Sequence, residues 1–201
     1  MSKVLSAKRI TNFRFLNLFE LEAAYKDGTV GKYQVASRAT SVLDLKAVSG
    51  QVEADAVAIC GIYIVNEKPH LVLIRQYRYP VGDYIYELPA GLRDGNETIM
   101  ETAVREMKEE TGLDLTDVKL NEEFNRPFFS SPGMTDETCS LFFGRCVGTP
   151  SSDFLEKTED ARVILADYDE CYRILREEKI DMRTAAAIWL FVAALEGLKV
   201  M

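Results

Sequence analysis

Apolar and polar positions alternate through the first forty residues, in runs such as Phe15-Leu16-Asn17-Leu18-Phe19-Glu20-Leu21-Glu22, and Lys26-Asp27-Gly28 interrupts them with turn chemistry. Over residues 9–39 this predicts two or three antiparallel strands. The periodicity weakens over 40–55, which reads as a linker or long loop. Three β-rich runs follow at 56–65, 70–79 and 83–88, divided by Asn66-Glu67-Lys68-Pro69 and Pro80-Val81-Gly82. The period then lengthens: Ile99, Ala103 and Met107 recur every fourth residue, with no Gly or Pro over 98–111. That stripe predicts an amphipathic helix starting near Glu97 and closed by Gly112. Strands at 136–147 and 162–165 and helices at 168–178 and 182–198 complete the reading. The last helix is apolar on most sides, so it is expected to be buried, with Trp189 in the core. A strand-rich start, one central helix, further strands and two closing helices argue for an α+β sandwich rather than a regular βαβ succession.

Composition narrows what such a fold can do. A length of 201 residues suits one domain with at most a small appendage, and 47% hydrophobic with 28% charged residues can bury a core. The net charge of −8 is a poor match for a phosphate backbone, so no nucleic-acid partner is expected. The single histidine, His70, excludes every two-histidine metal motif and stands in no recognised pattern at the head of a strand. Cys60, Cys139, Cys146 and Cys171 show no CxxC spacing and read as reduced core thiols. The N-terminus lacks the apolar stretch of a signal peptide, and the longest apolar run, 185–195, falls short of the roughly 20 residues that span a bilayer. A cytoplasmic protein without a membrane partner is expected.

The chemistry is concentrated in the central helix and the loop before it. Glu106, Glu109 and Glu110 stand at i, i+3 and i+4, so their carboxylates project within about 100° of arc. Like charges so placed oppose a helix unless something neutralises them, and Lys108 lies off the arc with only Arg105 nearby. A hard divalent cation is the natural counter-charge for clustered carboxylate oxygens. The wider spacing is more specific: Gly91, five residues, Glu97, seven residues, then Arg105-Glu106-Met107-Lys108-Glu109-Glu110-Thr111-Gly112-Leu113. This stretch, 91–113, resembles the Nudix box, with every required position filled.

The resemblance implies a Nudix-type α/β/α sandwich with a mixed sheet, and a loop–helix–loop that holds catalytic divalent metal, Mg²⁺ or alternatively Mn²⁺. By matching position, Glu106 and Glu110 are the implied ligands, joined by the carbonyl of Ala90, and Glu109 is a third ligand or a water-orienting group. Glu97 and Arg105 match a pair that braces the loop against the helix, and Gly91 matches the glycine that lets the backbone pass close to the metal. The implied reaction is attack of water on phosphorus in a nucleoside diphosphate linked to a further moiety.

Outside the box, Gln76-Tyr77-Arg78 followed by Glu87-Leu88-Pro89-Ala90-Gly91 is similar to the ADP-ribose and nucleoside-diphosphate-sugar pyrophosphatases. In that subgroup Arg78 matches a phosphate contact, a task suited to the guanidinium fork. Tyr33 and Arg38 match a segment that offers a ring to the base and an arginine to the substrate. Ser131-Pro132-Gly133 resembles a loop that follows the box, and Glu159 aligns best with the subgroup's general base, with Glu156 and Asp160 as alternatives. The subgroup also carries a small N-terminal β-domain that builds a homodimer. Residues 1–50 are therefore expected to form dimerisation and substrate-contact strands, and 51–201 the hydrolase domain. Phe13, Phe15, Phe19 and Leu21, at alternate positions, would supply an apolar face for the second subunit. The expected activity is metal-dependent hydrolysis of ADP-ribose or a related nucleotide sugar. The alternatives are clean-up of nucleoside triphosphates and a non-catalytic nucleotide-binding module.

Overall fold

The computed structural model describes residues 1–116, 126–155 and 159–197. Met1–Asp55 and Pro127–Cys139 form one compact unit, and the remaining described residues form a second.

In the first unit, β1 (Lys3–Arg9), β2 (Asn17–Ala24) and β3 (Val30–Ser37) make an antiparallel sheet with β2 in the middle. The β2–β3 turn is tied by Asp27, whose carboxylate accepts from the Thr29 N–H and hydroxyl at 3.0 and 2.7 Å. Alternation sends Phe19, Leu21 and Val35 to one face, where they close a small core with Leu45. This corrects the expected apolar face. Phe19 and Leu21 are already covered within the chain, whereas Phe13 and Phe15 precede the strand and are 69% and 64% exposed. The segment read as a linker contains a 3₁₀ turn (Val42–Asp44) and one short helix, α1 (Lys46–Ser49).

The second unit is built on a larger sheet. Its strands are β4 (Ala56–Val65), β5 (Lys68–Arg78), β6 (Asp83–Glu87), β7 (Ala90–Leu92) and β8 (Asp114–Thr116). β10 (Thr138–Val147) enters it from Ser140 onward and β11 (Ala161–Ala166) forms an edge, whereas the two-residue β9 (Phe128–Phe129), which pairs with Thr138 and Cys139, belongs to the first unit. The sheet order is β11-β5-β4-β10-β8, with β6 added to β5 and β7 to β4. A two-residue turn at Asn66 and Glu67, both with positive φ, joins β4 to β5. For this reason β5 starts two residues earlier than the pattern suggested. Half of one β5 edge pairs with β4 and the other half with β6, while the opposite edge pairs with β11. Gln76 and Arg78 therefore share one face of β5, and Arg75 and Tyr77 share the other.

The central helix, α2 (Ile99–Thr111), starts on Thr98, whose side chain accepts from the Glu101 N–H while Glu101 reaches back to the Thr98 N–H. A capping box of this kind contributes about 1 kcal/mol. Gly112, at φ 72°, ends the helix. Ala103 and Met107 are fully buried against Val57, Ile59, Val72 and Phe142. The chain closes with α3 (Tyr168–Glu177) and α4 (Met182–Leu195), each capped by an aspartate, Asp167 and Asp181. α4 is not buried on all sides, which is a second correction. Thr184, Ala187, Ile188, Phe191 and Val192 face inward, but Trp189 is 58% and Leu190 47% exposed. All four cysteines are free and buried. Among the described residues no helix is long and apolar enough to cross a membrane.

Candidate active site

Strand β7 runs beside β4, pairing Gly91 with Val57, and brings the loop before α2 against the inner edge of that helix. A Cβ on Gly91 would stand 1.9 Å from the Glu106 carboxyl, so the missing side chain is what admits this carboxylate. One turn further along α2, Glu110 is 3% exposed, and its Oε2 accepts from the Ala90 N–H at 2.8 Å. Burial pushes the Glu110 carboxyl well above the usual carboxylate range, and that single N–H only partly offsets it. Burial pushes Glu106 in the same direction, opposed by the charge of Arg105.

Arg105 is the organiser of the helix face. Its Nε and Nη2 donate to the two oxygens of Glu97 at 2.8 and 3.0 Å, and Nη2 also reaches the Leu92 carbonyl at 3.1 Å. These bonds hold the Glu97 carboxyl down at about 2. Nη1 donates to Glu106 Oε1 at 2.8 Å and to Glu109 Oε2 at 2.9 Å. The carboxylates on the shared arc are thus not left uncompensated by protein groups, as their spacing alone suggested: one guanidinium answers two of them.

Glu106, Glu109, Glu110, Glu159, Arg78 and Gln76 line one pocket of about 270 Å³, floored by Ala90 and Gly91. Glu159 comes from the segment entering β11. Its neighbour Asp160 is engaged elsewhere, with its carboxylate accepting from the Tyr84 hydroxyl at 2.5 Å. Glu156 lies outside the described residues. Two residues that the sequence offers only as motif positions have contacts that it does not show. Glu87, almost fully buried, accepts from Arg78 Nε at 2.6 Å, which fixes the guanidinium. Gln76 is buried, and its Oε1 has no hydrogen-bond partner among the described residues. The shared period-two face of Gln76 and Arg78 could have signalled Gln76; the Glu87 partnership needed the fold.

Tyr33 and Arg38 belong to the first unit. The Tyr33 hydroxyl donates to the Gly133 carbonyl at 2.6 Å, and Arg38 Nε and Nη2 both donate to Glu137 Oε1, at 2.9 and 2.8 Å.

Among the described residues no three His, Cys, Asp or Glu side chains stand close enough together to hold a metal ion by themselves. The donor set still fits a hard divalent cation. The pocket offers carboxylate oxygens and no sulfur or imidazole, and it keeps Glu110 out of water with one hydrogen bond, a cost that a nearby cation would relieve.

A family model described as the NUDIX domain matches residues 55–185. A Nudix hydrolase from Caenorhabditis elegans is 33% identical over 145 residues, covering 70% of this chain and 60% of that protein, so the match spans about three fifths of the relative. An ADP-ribose pyrophosphatase from Bacillus subtilis is 28% identical over 130 residues, 64% of this chain and 68% of that protein. The crystal structure of an ADP compounds hydrolase superposes with a TM-score of 0.70 at 18% identity, over 98% of this chain and 95% of that one, a likeness of fold.

Proposed function

Because this chain belongs to the Nudix family, we propose that it hydrolyses the pyrophosphate bond of ADP-ribose or a related nucleoside diphosphate sugar, giving a nucleoside monophosphate and a sugar phosphate. The observation that carries this reading is the gathering of Glu106, Glu109, Glu110 and Glu159 with Arg78 in one pocket. Water forms the new oxygen–phosphorus bond, the bridging oxygen leaves with the second phosphate, and the proton lost by water passes to Glu159. Arg78, held by Glu87 through its Nε, presents its Nη groups to phosphate oxygens. Glu97 and Arg105 hold the loop of β7 and Leu92 against α2, and Arg105 aligns Glu106 and Glu109. Glu106, Glu110 and the Ala90 carbonyl would hold Mg²⁺ or Mn²⁺, with Glu109 beside them, and such ions, when bound, lower the pKa of water and neutralise charge on the phosphate oxygens.

Product analysis over ADP-ribose, ADP-glucose, GDP-mannose and UDP-glucose with Mg²⁺ tests this reading. Nucleoside monophosphate and sugar phosphate should form in equal amounts. Pyrophosphate released from nucleoside triphosphates, with every nucleotide sugar left intact, would replace this reading by triphosphate clean-up.

A homodimer through the first unit is part of the proposal, with Tyr33 and Arg38 as its substrate contacts. Phe13 and Phe15 are the apolar groups left over for a second copy once Phe19 and Leu21 are buried. Light scattering at micromolar concentration should give twice 22.7 kDa; the monomer mass would exclude it.

A further inference from the structure

The residue that follows Glu159 is held from the other side of the sheet. The β11–β5 register places Ala161 opposite Gln76, and the Tyr77 N–H donates to the Asp160 carbonyl at 3.0 Å. Alternation then puts Glu159 on the pocket face with Gln76 and Arg78, and Asp160 on the opposite face. That face carries an aromatic ladder. Tyr77 pairs with Tyr84 across the β5–β6 hairpin, their rings meeting edge to face at 5.3 Å. The Arg75 guanidinium lies 4.4 Å from the Tyr84 ring centre. The ring so held directs its hydroxyl at Asp160, to which it donates at 2.5 Å. Asp160 is therefore gripped by its main chain from β5 and by its side chain from β6, one residue before β11 begins and one residue after Glu159.

We infer that Tyr84 is a positioning residue that acts through Asp160 to aim Glu159 into the glutamate-lined pocket. The inference rests on the hydrolysis reading above. Without the hydroxyl, the side-chain tie from β6 is lost and the strand bond to Tyr77 remains, so the direction in which the 159–160 link delivers Glu159 is less tightly fixed. A base displaced by an ångström loses much of its effect while substrate binding is unchanged.

Tyr84→Phe removes the donor and keeps the ring, its packing on Tyr77 and its stack with Arg75. It should lower kcat about five- to tenfold and change KM less than about twofold. Asp160→Ala should do the same, whereas Asp160→Asn, which keeps an oxygen acceptor, should stay near wild type. The decisive measurement is a double-mutant cycle. In a Glu159→Gln background, Tyr84→Phe should cost nothing further, because the group it aims is gone. A bond that served only the fold would lower Tm in both backgrounds and leave kcat alone. The inference is overturned if Tyr84→Phe retains wild-type kcat while Glu159→Gln is impaired, or if its loss is the same in both backgrounds. If Glu159→Gln is silent while Glu110→Gln abolishes turnover, the positioning role falls and the hydrolysis reading stands. If the nucleotide sugars prove inert and triphosphates are turned over, the substrate reading falls, and the same cycle on a triphosphate still decides the role of Tyr84.

Discussion

Glu110→Gln is expected to lower kcat at least about a hundredfold, the scale associated with damage to a metal ligand or to preorganised charge, and to leave the fold intact. Glutamine keeps the shape of the side chain and can offer its amide oxygen to the Ala90 N–H that Glu110 now engages at 2.8 Å. What it removes is the charge, in a position where burial already opposes charge. The Tm should therefore hold or rise slightly, which separates a chemical defect from a folding one. Excess EDTA should reproduce the loss in the wild type, and Mg²⁺ or Mn²⁺ should restore it. A variant with more than a tenth of wild-type kcat, or full activity in EDTA, would remove Glu110 and the cation from the reaction.

The second large effect is expected at Glu159. Removing a general base typically costs about 10²–10⁴-fold, and because the contact matters mainly in the transition state, Glu159→Gln should depress kcat far more than it raises KM. Asp160→Asn should be mild, since the Asp160 carboxylate is turned to the Tyr84 hydroxyl. Glu156→Gln should be mild as well. A collapse at Glu156 with Glu159 silent would shift the assignment by three residues.

Where a residue's neighbours lie close in sequence, or a strict pattern names its role, the chain could be read directly. The strand predicted at 56–65 is β4 (Ala56–Val65), and the stripe of Ile99, Ala103 and Met107 is the inward face of α2. The pairing of Arg105 with Glu97 was legible because the box ties those positions together. The bond from Arg105 to Glu106 and Glu109 was not, because helical spacing describes which directions side chains leave and not how a long guanidinium folds back. The same limit applies to α4. A segment apolar all round has no intrinsic inside, and only the neighbouring elements determine that Ile188 and Phe191 are covered while Trp189 is left in solvent. The roles of Glu87 and Gln76, named in the sequence only as motif positions, and of Tyr84 were hidden for a third reason. Their importance depends on the register of a hairpin and on which face of β5 looks toward α2, and a one-residue slip would have exchanged the two faces.

The first unit is discontinuous in sequence, and this bears on how the protein is made. Tyr33 bonds to Gly133 and Arg38 to Glu137, across about a hundred intervening residues, and β3 forms a parallel bridge from Ala36 to Thr135. On the ribosome, the N-terminal sheet emerges first, but the unit it belongs to cannot be finished until residue 139 is outside the tunnel, by which time β4 to β7 and the whole of α2 have already been synthesised. Loop closure over that span costs entropy before any contact rewards it, so the unit that begins the chain is expected to be among the last to set. The same arrangement limits dissection of the gene. Cutting after residue 55 strands the segment 127–139 without its sheet, so the N-terminal piece cannot be treated as a detachable cassette.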